Sequence, residues 1–433
     1  MAKIVIIGAG SAFGPKLARD MLSIESLADS VIALCDINKT ALDETSDFLT
    51  AFIAHNKLTA RIEKHTDYRK LLSGADVVVT SIAVGGQAYD SESYKAEIAI
   101  PAKYGVRQNV GDTVGVGGVF RFLRTAPVMH DICRAVEELC PDAMLLNYTN
   151  PMAMLTWMHS TMSSVKNVGL CHSVQHTANE LAKYIGVPPA DVMATVAGIN
   201  HQAWILEYKH INGNDLYPAV RDCLNKPDIL AKDRIRFEMM RHFGYFITES
   251  SRHNAEYVPY FMRTKAAMDA YALEEHRFIK NPSEKAGERP RDVFRWIGGK
   301  DKLTKTTSEE YASRIVEGIV TGSPFVFGGN VMNTGLIENL PAQSCVEVPC
   351  IADRHGVRPV YAGKLPPQCA AINMTNIAVQ ELAVEAFRTK KKESAFLACA
   401  LDPLTAASAT LDDIRKMTDE IIAAEGGLLD YLR

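Results

Sequence analysis

Two short stretches carry residue types from which a reactive centre could be built. Asn167-Val168-Gly169-Leu170-Cys171-His172-Ser173-Val174-Gln175 delivers a cysteine and a histidine from an apolar run into a polar turn. Gly198-Ile199-Asn200-His201 ends a second apolar run on an amide and an imidazole. A soft thiolate with imidazoles at strand ends can hold a divalent metal and leave coordination positions open. Cys171 taken alone also has a plainer reading, because a cysteine after a strand is usually a small buried hydrophobe. Further on, Arg252-His253-Asn254-Ala255-Glu256-Tyr257 gathers titratable groups broken by aromatics.

The elements that would position these groups begin at the N-terminus. Residues 3–7 are a Val/Ile-rich run of the kind buried in parallel sheets, and they end on Gly8-Ala9-Gly10-Ser11-Ala12-Phe13-Gly14. Leu17 and Met21 then recur at helical spacing, with Pro15 suited to the first turn. Strand, glycine turn and helix form the context of a dinucleotide site, in which bare backbone at Gly8 and Gly10 lets a pyrophosphate approach the helix N-terminus. A second strand, residues 31–35, ends on Asp36, which would accept from the adenosine ribose hydroxyls and favour NAD over NADP. A helix over residues 43–56, strands near 75–82, 143–146 and 166–170 and a helix over 126–138 continue the alternation. This predicts a doubly wound Rossmann-type parallel α/β sheet. Ligands bind beyond the carboxyl ends of such strands, so the Gly85-Gly86 turn, Asn150 and Cys171 are expected on one rim.

Residues 109–121 are glycine-dense around Asp112, Thr113 and Arg121 and read either as a surface loop or as backbone that closes over a ligand. After residue 200 the alternation fades. The expected organisation is a dinucleotide-binding domain over 1–199 and a mixed α+β domain over 200–433. Residues 224–245 read as a helix, Ser308 as the cap of a helix running to Ile319, and 375–387 and 411–429 as amphipathic helices. The charged stretch 273–295 reads as a lid, an oligomer contact or solvated surface.

The chain has 433 residues, 47% hydrophobic and 23% charged, with a formal net charge of -4. That balance gives no basic surface for nucleic acid, and no apolar run approaches the roughly 20 residues needed to span a bilayer. Nine cysteines without paired spacing point to reduced thiols, and a cytoplasmic location is expected.

Taken together, Gly8-Ala9-Gly10-Ser11, Asp112-Thr113-Val114-Gly115 with Gly117-Gly118, Asn147-Tyr148-Thr149-Asn150-Pro151-Met152, Cys171-His172-Ser173-Val174-Gln175 and Gly198-Ile199-Asn200-His201 resemble glycoside hydrolase family 4. The likeness extends through Thr248-Glu249-Ser250-Ser251, Ala255-Glu256-Tyr257, Asn339-Leu340-Pro341 and Cys345-Val346-Glu347-Val348, and Cys-His-Ser-Val-Gln looks like the α-galactosidase branch. The resemblance implies an α-glycosidase that uses NAD and a divalent metal, usually manganese, and departs from the two-carboxylate rule. Its chemistry is oxidation at C3, proton loss at C2, elimination at C1, water addition and re-reduction. Carried over, Cys171 and His201 look like metal ligands and Tyr257 like the C2 base, with Glu256 as the alternative. His172, standing where the phospho-glycosidase branch has an acid, looks like a proton donor to the leaving group. Gly8, Gly10, Ser11, Ala12, Phe13, Asp36, Gly85 and Asn150 would contact the cofactor. Asn150 would orient the sugar hydroxyls, and Asp112 and Arg121 would contact the sugar or order the glycine loop. His176 stands where the branch usually has glycine, Val116 where proline is common, and Arg252 where relatives often carry glutamate. Arg252 and His176 would suit an anionic hexoside, a uronide or a sulfonated sugar, unless Arg252 is only a surface change. The resemblance also implies a homodimer or homotetramer and a small-molecule glycoside substrate. The rival readings are an NAD-dependent dehydrogenase of small hydroxy compounds and an NAD-binding regulator.

Overall fold

The strands Lys3–Ile7 (β1) and Val31–Cys35 (β2) are buried at four of their five positions, as expected of strands covered on both faces. In this computed structural model, which describes residues 1–87, 89–281, 283–286 and 302–433, they begin a sheet that runs through the whole molecule. Arg61–His65 (β3), Val77–Thr80 (β4), Met144–Asn147 (β5) and Asn167–Gly169 (β6) complete a parallel half in the order β3-β2-β1-β4-β5-β6. This is the doubly wound arrangement, with its switch point between β1 and β4. Ile4, Val5, Ile6, Val77, Val78 and Val79 have no exposed surface, and each such side chain contributes roughly 1.5–3 kcal/mol through burial. Gly14–Ser23 (α1) packs on Lys39–His55 (α2) and on the helix Ala312–Thr321. Glu92–Lys103 (α3), Gly115–Leu139 (α4) and Met152–Met162 (α5) form a second helical group, joined by the long helix Pro367–Thr389, which packs on α4 and α5.

Ser173–Ile185 (α6) leads out of the parallel half. The remaining strands are Val192–Ile199 (β7), Gln202–His210 (β8), Phe246–Ile247 (β9), Phe325–Met332 (β10), Cys345–Asp353 (β11) and Gly356–Pro359 (β12). They extend the same sheet as β6-β10-β11-β7-β8-β9, antiparallel throughout, with β12 paired to β11. One register row crosses the junction, Gly169 facing Asn330, Asn330 facing Glu347 and Glu347 facing Gly198. Because direction alternates along this row, β7 runs opposite to β6. The turn of the β7–β8 hairpin, Asn200-His201, nevertheless comes against Cys171 just past the carboxyl end of β6.

Several elements differ from the sequence reading. β3 was not expected, because its residues are polar; it lies at the sheet edge, where four of its five residues face solvent. Residues 109–121 are neither a surface loop nor wholly a loop, since they are almost entirely buried and α4 begins at Gly115, well before residue 126. The glycines are there for close packing. A Cβ on Gly117 would lie 2.3 Å from the Gly111 carbonyl oxygen, and one on Gly118 would lie 2.6 Å from the Thr113 carbonyl carbon. Residues 224–245 form two helices, Pro227–Lys232 and Arg234–Phe243, separated by Asp233 at φ -144° and ψ 49°. Ser308 caps no helix; its hydroxyl donates to Asp20, and the helix there starts at Ala312. Of the stretch 273–295, residues 282 and 287–295 lie outside the described residues.

Candidate active site

The turn after β1 is built as the glycine pattern requires. Gly8 has φ +91°, and a Cβ there would lie 2.1 Å from the Ser81 carbonyl oxygen, so only glycine lets β1 and β4 end side by side. Ser11 Oγ accepts from the amides of Phe13 and Gly14 at the start of α1 and lies 3.0 Å from Ser81 Oγ. Ala12 is exposed, and Phe13 stacks on Tyr148 with ring centroids 5.4 Å apart. Asp36, at the end of β2, accepts from Gly10 N and Asn38 N, each at 2.8 Å, and each carboxylate oxygen keeps a lone pair for a ligand hydroxyl. Beyond β4, the Val84-Gly85 turn is held from α4. Arg124 Nη1 donates to the Val84 carbonyl, while Nε and Nη2 bind both oxygens of buried Glu97 at 2.6 and 3.1 Å.

Farther along the rim, Cys171 Sγ lies 3.2 Å from His201 Nε2. Cys171 leaves β6 two residues past Gly169, and His201 occupies the β7–β8 turn at φ +60°, three residues past Gly198. The Tyr311 hydroxyl holds the cysteine backbone, accepting from Cys171 N at 3.2 Å and lying 2.8 Å from Cys171 O and 2.9 Å from Gly328 O. Glu249 completes the group, with Oε2 3.5 Å from His201 Nε2. One donor atom from each of Cys171, His201 and Glu249 lies within 4.8 Å of the others.

A buried polar chain surrounds this cluster. His253 lies between two carboxylates, Nδ1 3.1 Å from Glu249 Oε1 and Nε2 3.4 Å from Asp112 Oδ1. Thr113 Oγ1 donates to Asp112 Oδ1 at 2.8 Å and lies 3.5 Å from His201 Nδ1. Burial opposes charge throughout, yet His253 is held well above its ordinary pKa by its two carboxylates, and Asp112 and Glu249 are held well below theirs by the histidines. Burial pushes His201 down to about 4, which keeps its imidazole neutral. Burial, then Glu249 and Glu347, push the Cys171 thiol well up. A thiolate there needs a cation beside it. With a divalent ion bound and the thiol ionised, the charges of Cys171, Glu249, Asp112 and His253 cancel, so the donor set fits such an ion.

The remaining predicted residues divide by position. Tyr257 is buried, its ring centroid 6.3 Å from that of His201, with Thr113 beside its hydroxyl. Asn150 Nδ2 donates to Asp112 Oδ2 at 3.1 Å, and the Tyr89 hydroxyl donates to the same oxygen at 2.8 Å. The buried Arg121 guanidinium stacks 5.2 Å from the Tyr89 ring. Glu256 turns away from this cluster. Its carboxylate accepts the backbone amides of Asn109, Val110 and Gly111, the last at 3.0 Å, while burial pushes it up to about 7. His172 is half-exposed and 3.5 Å from Glu310 Oε1. His176 lies 3.5 Å from both Glu180 and Glu309. Arg252 is exposed, and its guanidinium donates to Asn109 O at 3.2 Å.

The profile of family 4 glycosyl hydrolases matches residues 3–187, and that of the family's C-terminal domain matches residues 196–405. The chain belongs to glycosyl hydrolase family 4. An α-galactosidase of Bacillus subtilis (strain 168) is 43% identical over 99% of this chain and 99% of its own. An α-galactosidase of Rhizobium meliloti (strain 1021) is 35% identical over 98% of this chain and 88% of its own. The fold is shared with the 6-phospho-β-glucosidase from Thermotoga maritima, solved with manganese, NAD+ and glucose-6-phosphate, at a TM-score of 0.77 and 21% identity over 98% of each chain. Among the described residues of this family 4 enzyme, no helix is long and apolar enough to cross a membrane.

Within the family 4 frame, sequence reasoning missed Glu249, His253, Thr113 and Tyr311 as parts of the site. His253 stood in view in a titratable run with Glu249 just before it, but their partners Asp112, Cys171 and His201 come from segments distant in sequence. Tyr311 gave no signal, because its hydroxyl serves a backbone rather than a substrate.

Proposed function

We propose that this enzyme is an NAD- and Mn²⁺-dependent α-galactosidase that cleaves by oxidation, elimination, addition and reduction. The observation that carries the reading is the contact of Cys171 with His201 on the rim that also holds the Gly8 and Asp36 turn. The α-galactosidase relative at 43% identity supports the choice of sugar. Gly8, Gly10, Ser11 and Asp36 would hold NAD, and Cys171 and His201 the metal. When bound, NAD would supply the hydride acceptor and donor for C3, and the divalent ion would supply Lewis-acid polarisation of the sugar.

The chain's own residues do the rest. Tyr257 takes the C2 proton. Its pKa is held well above ordinary by burial and then by Asp112, Glu249 and Cys171, so it serves as a base only when positive charge sits among those neighbours. Glu256 is unsuited to that role because both its oxygens hold backbone amides. Asn150 and Asp112 orient sugar hydroxyls, and half-exposed His172 delivers a proton to the leaving oxygen at C1. Proton loss at C2 and departure at C1 leave a double bond; water then adds across it and the hydride returns to C3, so the net reaction is hydrolysis.

The test uses p-nitrophenyl α-galactoside in deuterated water. Nitrophenol release that requires NAD+ and Mn²⁺, with no NADH accumulating and with deuterium at C2 of the product, is expected. Stoichiometric NADH would instead identify a dehydrogenase. Faster cleavage of an α-galacturonide or an α-sulfoquinovoside would move the substrate to the anionic class.

A further inference from the structure

We infer that Glu249 is a third protein ligand of the divalent metal at Cys171 and His201. The inference rests on the proposed function for the presence of the metal and adds a ligand to it.

The two oxygens of Glu249 are sorted. Oε1 is taken by His253 Nδ1 at 3.1 Å, and Oε2 is turned to His201 Nε2 at 3.5 Å, the same nitrogen that faces Cys171 Sγ at 3.2 Å. Thr113 Oγ1 gives its proton to Asp112 and faces His201 Nδ1 at 3.5 Å, which places the imidazole proton on Nδ1 and the lone pair on Nε2; that lone pair, the Glu249 oxygen and the Cys171 sulfur converge on a gap that a cation fills. A salt bridge to His253 alone would not require this arrangement. Glu249 also has φ +71°, a conformation that a non-glycine residue keeps only when its surroundings over-determine it. They do. Its amide donates to Thr177 Oγ1 at 3.1 Å, and that oxygen is held at 3.2 Å by Arg236, whose guanidinium is buried against Asp233 and Glu180. The strained backbone carries the carboxylate to the thiol and imidazole.

The chemistry has a direction. A thiolate with one imidazole suits softer ions, and a carboxylate shifts preference toward harder ones such as Mn²⁺. Three protein ligands still leave half the positions of a six-coordinate ion for sugar oxygens and water. His253, bound to Oε1 and to Asp112, orients the ligand from behind and ties it to the carboxylate that faces Asn150.

The experiment measures Mn²⁺ affinity of the full-length, metal-free protein by the electron paramagnetic resonance signal of free Mn²⁺. Wild type is compared with Glu249→Gln and Cys171→Ser. The expected result is at least roughly tenfold weaker binding in Glu249→Gln. Wild-type affinity in Glu249→Gln, with binding lost in Cys171→Ser, overturns the inference and leaves the metal reading standing. Wild-type affinity in Cys171→Ser overturns both. If Glu249→Gln does not fold, Glu249→Asp keeps the charge and withdraws the oxygen: weakened binding supports the ligand, and unchanged binding overturns it.

Discussion

Replacing Arg124 by methionine tests how the turn after β4 is held in place. Arg124 and Glu97 are 3% and 0% exposed, and three guanidinium bonds join α4, α3 and the Val84 carbonyl. Methionine keeps the length and removes all three, stranding a carboxylate, a loss of about 3–5 kcal/mol at neutral pH. The stranded group gives the loss a pH signature. Burial already presses Glu97 upward, and without Arg124 only the weaker attraction of Arg121 opposes it. The folded variant then keeps a proton that the unfolded chain releases as pH rises past the ordinary glutamate value. Its stability therefore falls with rising pH, by up to ~1.4 kcal/mol per unit. The deficit against wild type, from urea unfolding, should be smaller near about pH 5 than near about pH 7. Glu97→Leu added to Arg124→Met removes the stranded charge and leaves only the Val84 carbonyl unpaired, recovering about 2 kcal/mol. A deficit below about 1 kcal/mol, or one equal at both pH values, would refute the assignment of this pair as a buried ionic anchor.

Two further outcomes are expected. Tyr311→Phe removes the hydroxyl that serves the backbone of Cys171 and should cost roughly 2–4 kcal/mol in urea unfolding and weaken Mn²⁺ binding; unchanged values for both would show that the hydroxyl does not position the cysteine. Asp402 is fully buried, accepts from Thr405 N at 2.8 Å and Thr405 Oγ1 at 2.7 Å, and is pushed by burial up to about 6. Its folded pKa exceeds the unfolded one, so stability declines as pH rises from about 4 to about 6, by about 3 kcal/mol in all. Asp402→Asn should flatten that part of the melting temperature profile, and an unchanged slope would remove Asp402 as its cause.

What could be read from the chain was whatever is local. The Gly8 turn, the buried runs of β1, β2 and β4 and the acid at the end of β2 declare themselves through short periodicities and one special backbone angle. β3 did not, because an edge strand that faces water carries no apolar run. The first turns of α4 did not either, because Gly117 and Gly118 look like loop residues until the Gly111 and Thr113 backbone is seen where a Cβ would have to go. Cys171 and His201 were legible as residue types, and their contact was not, since it joins residues past the ends of β6 and β7, strands that are not neighbours in the sheet. Glu249 depends on a backbone angle, a threonine and a buried arginine that no pattern within ten residues encodes.

The register row from Gly169 through Asn330 and Glu347 to Gly198 has a consequence for how the enzyme is made. During synthesis His201 leaves the ribosome soon after Cys171, yet β10 and β11, which separate their strands in the finished sheet, are translated only later. The nascent chain can complete its nucleotide-binding strands early, but it acquires the strands between those of the cysteine and the histidine only near the end of translation. A truncated chain that stops before residue 325 would thus keep the glycine turn while lacking the frame that assembles the reactive rim.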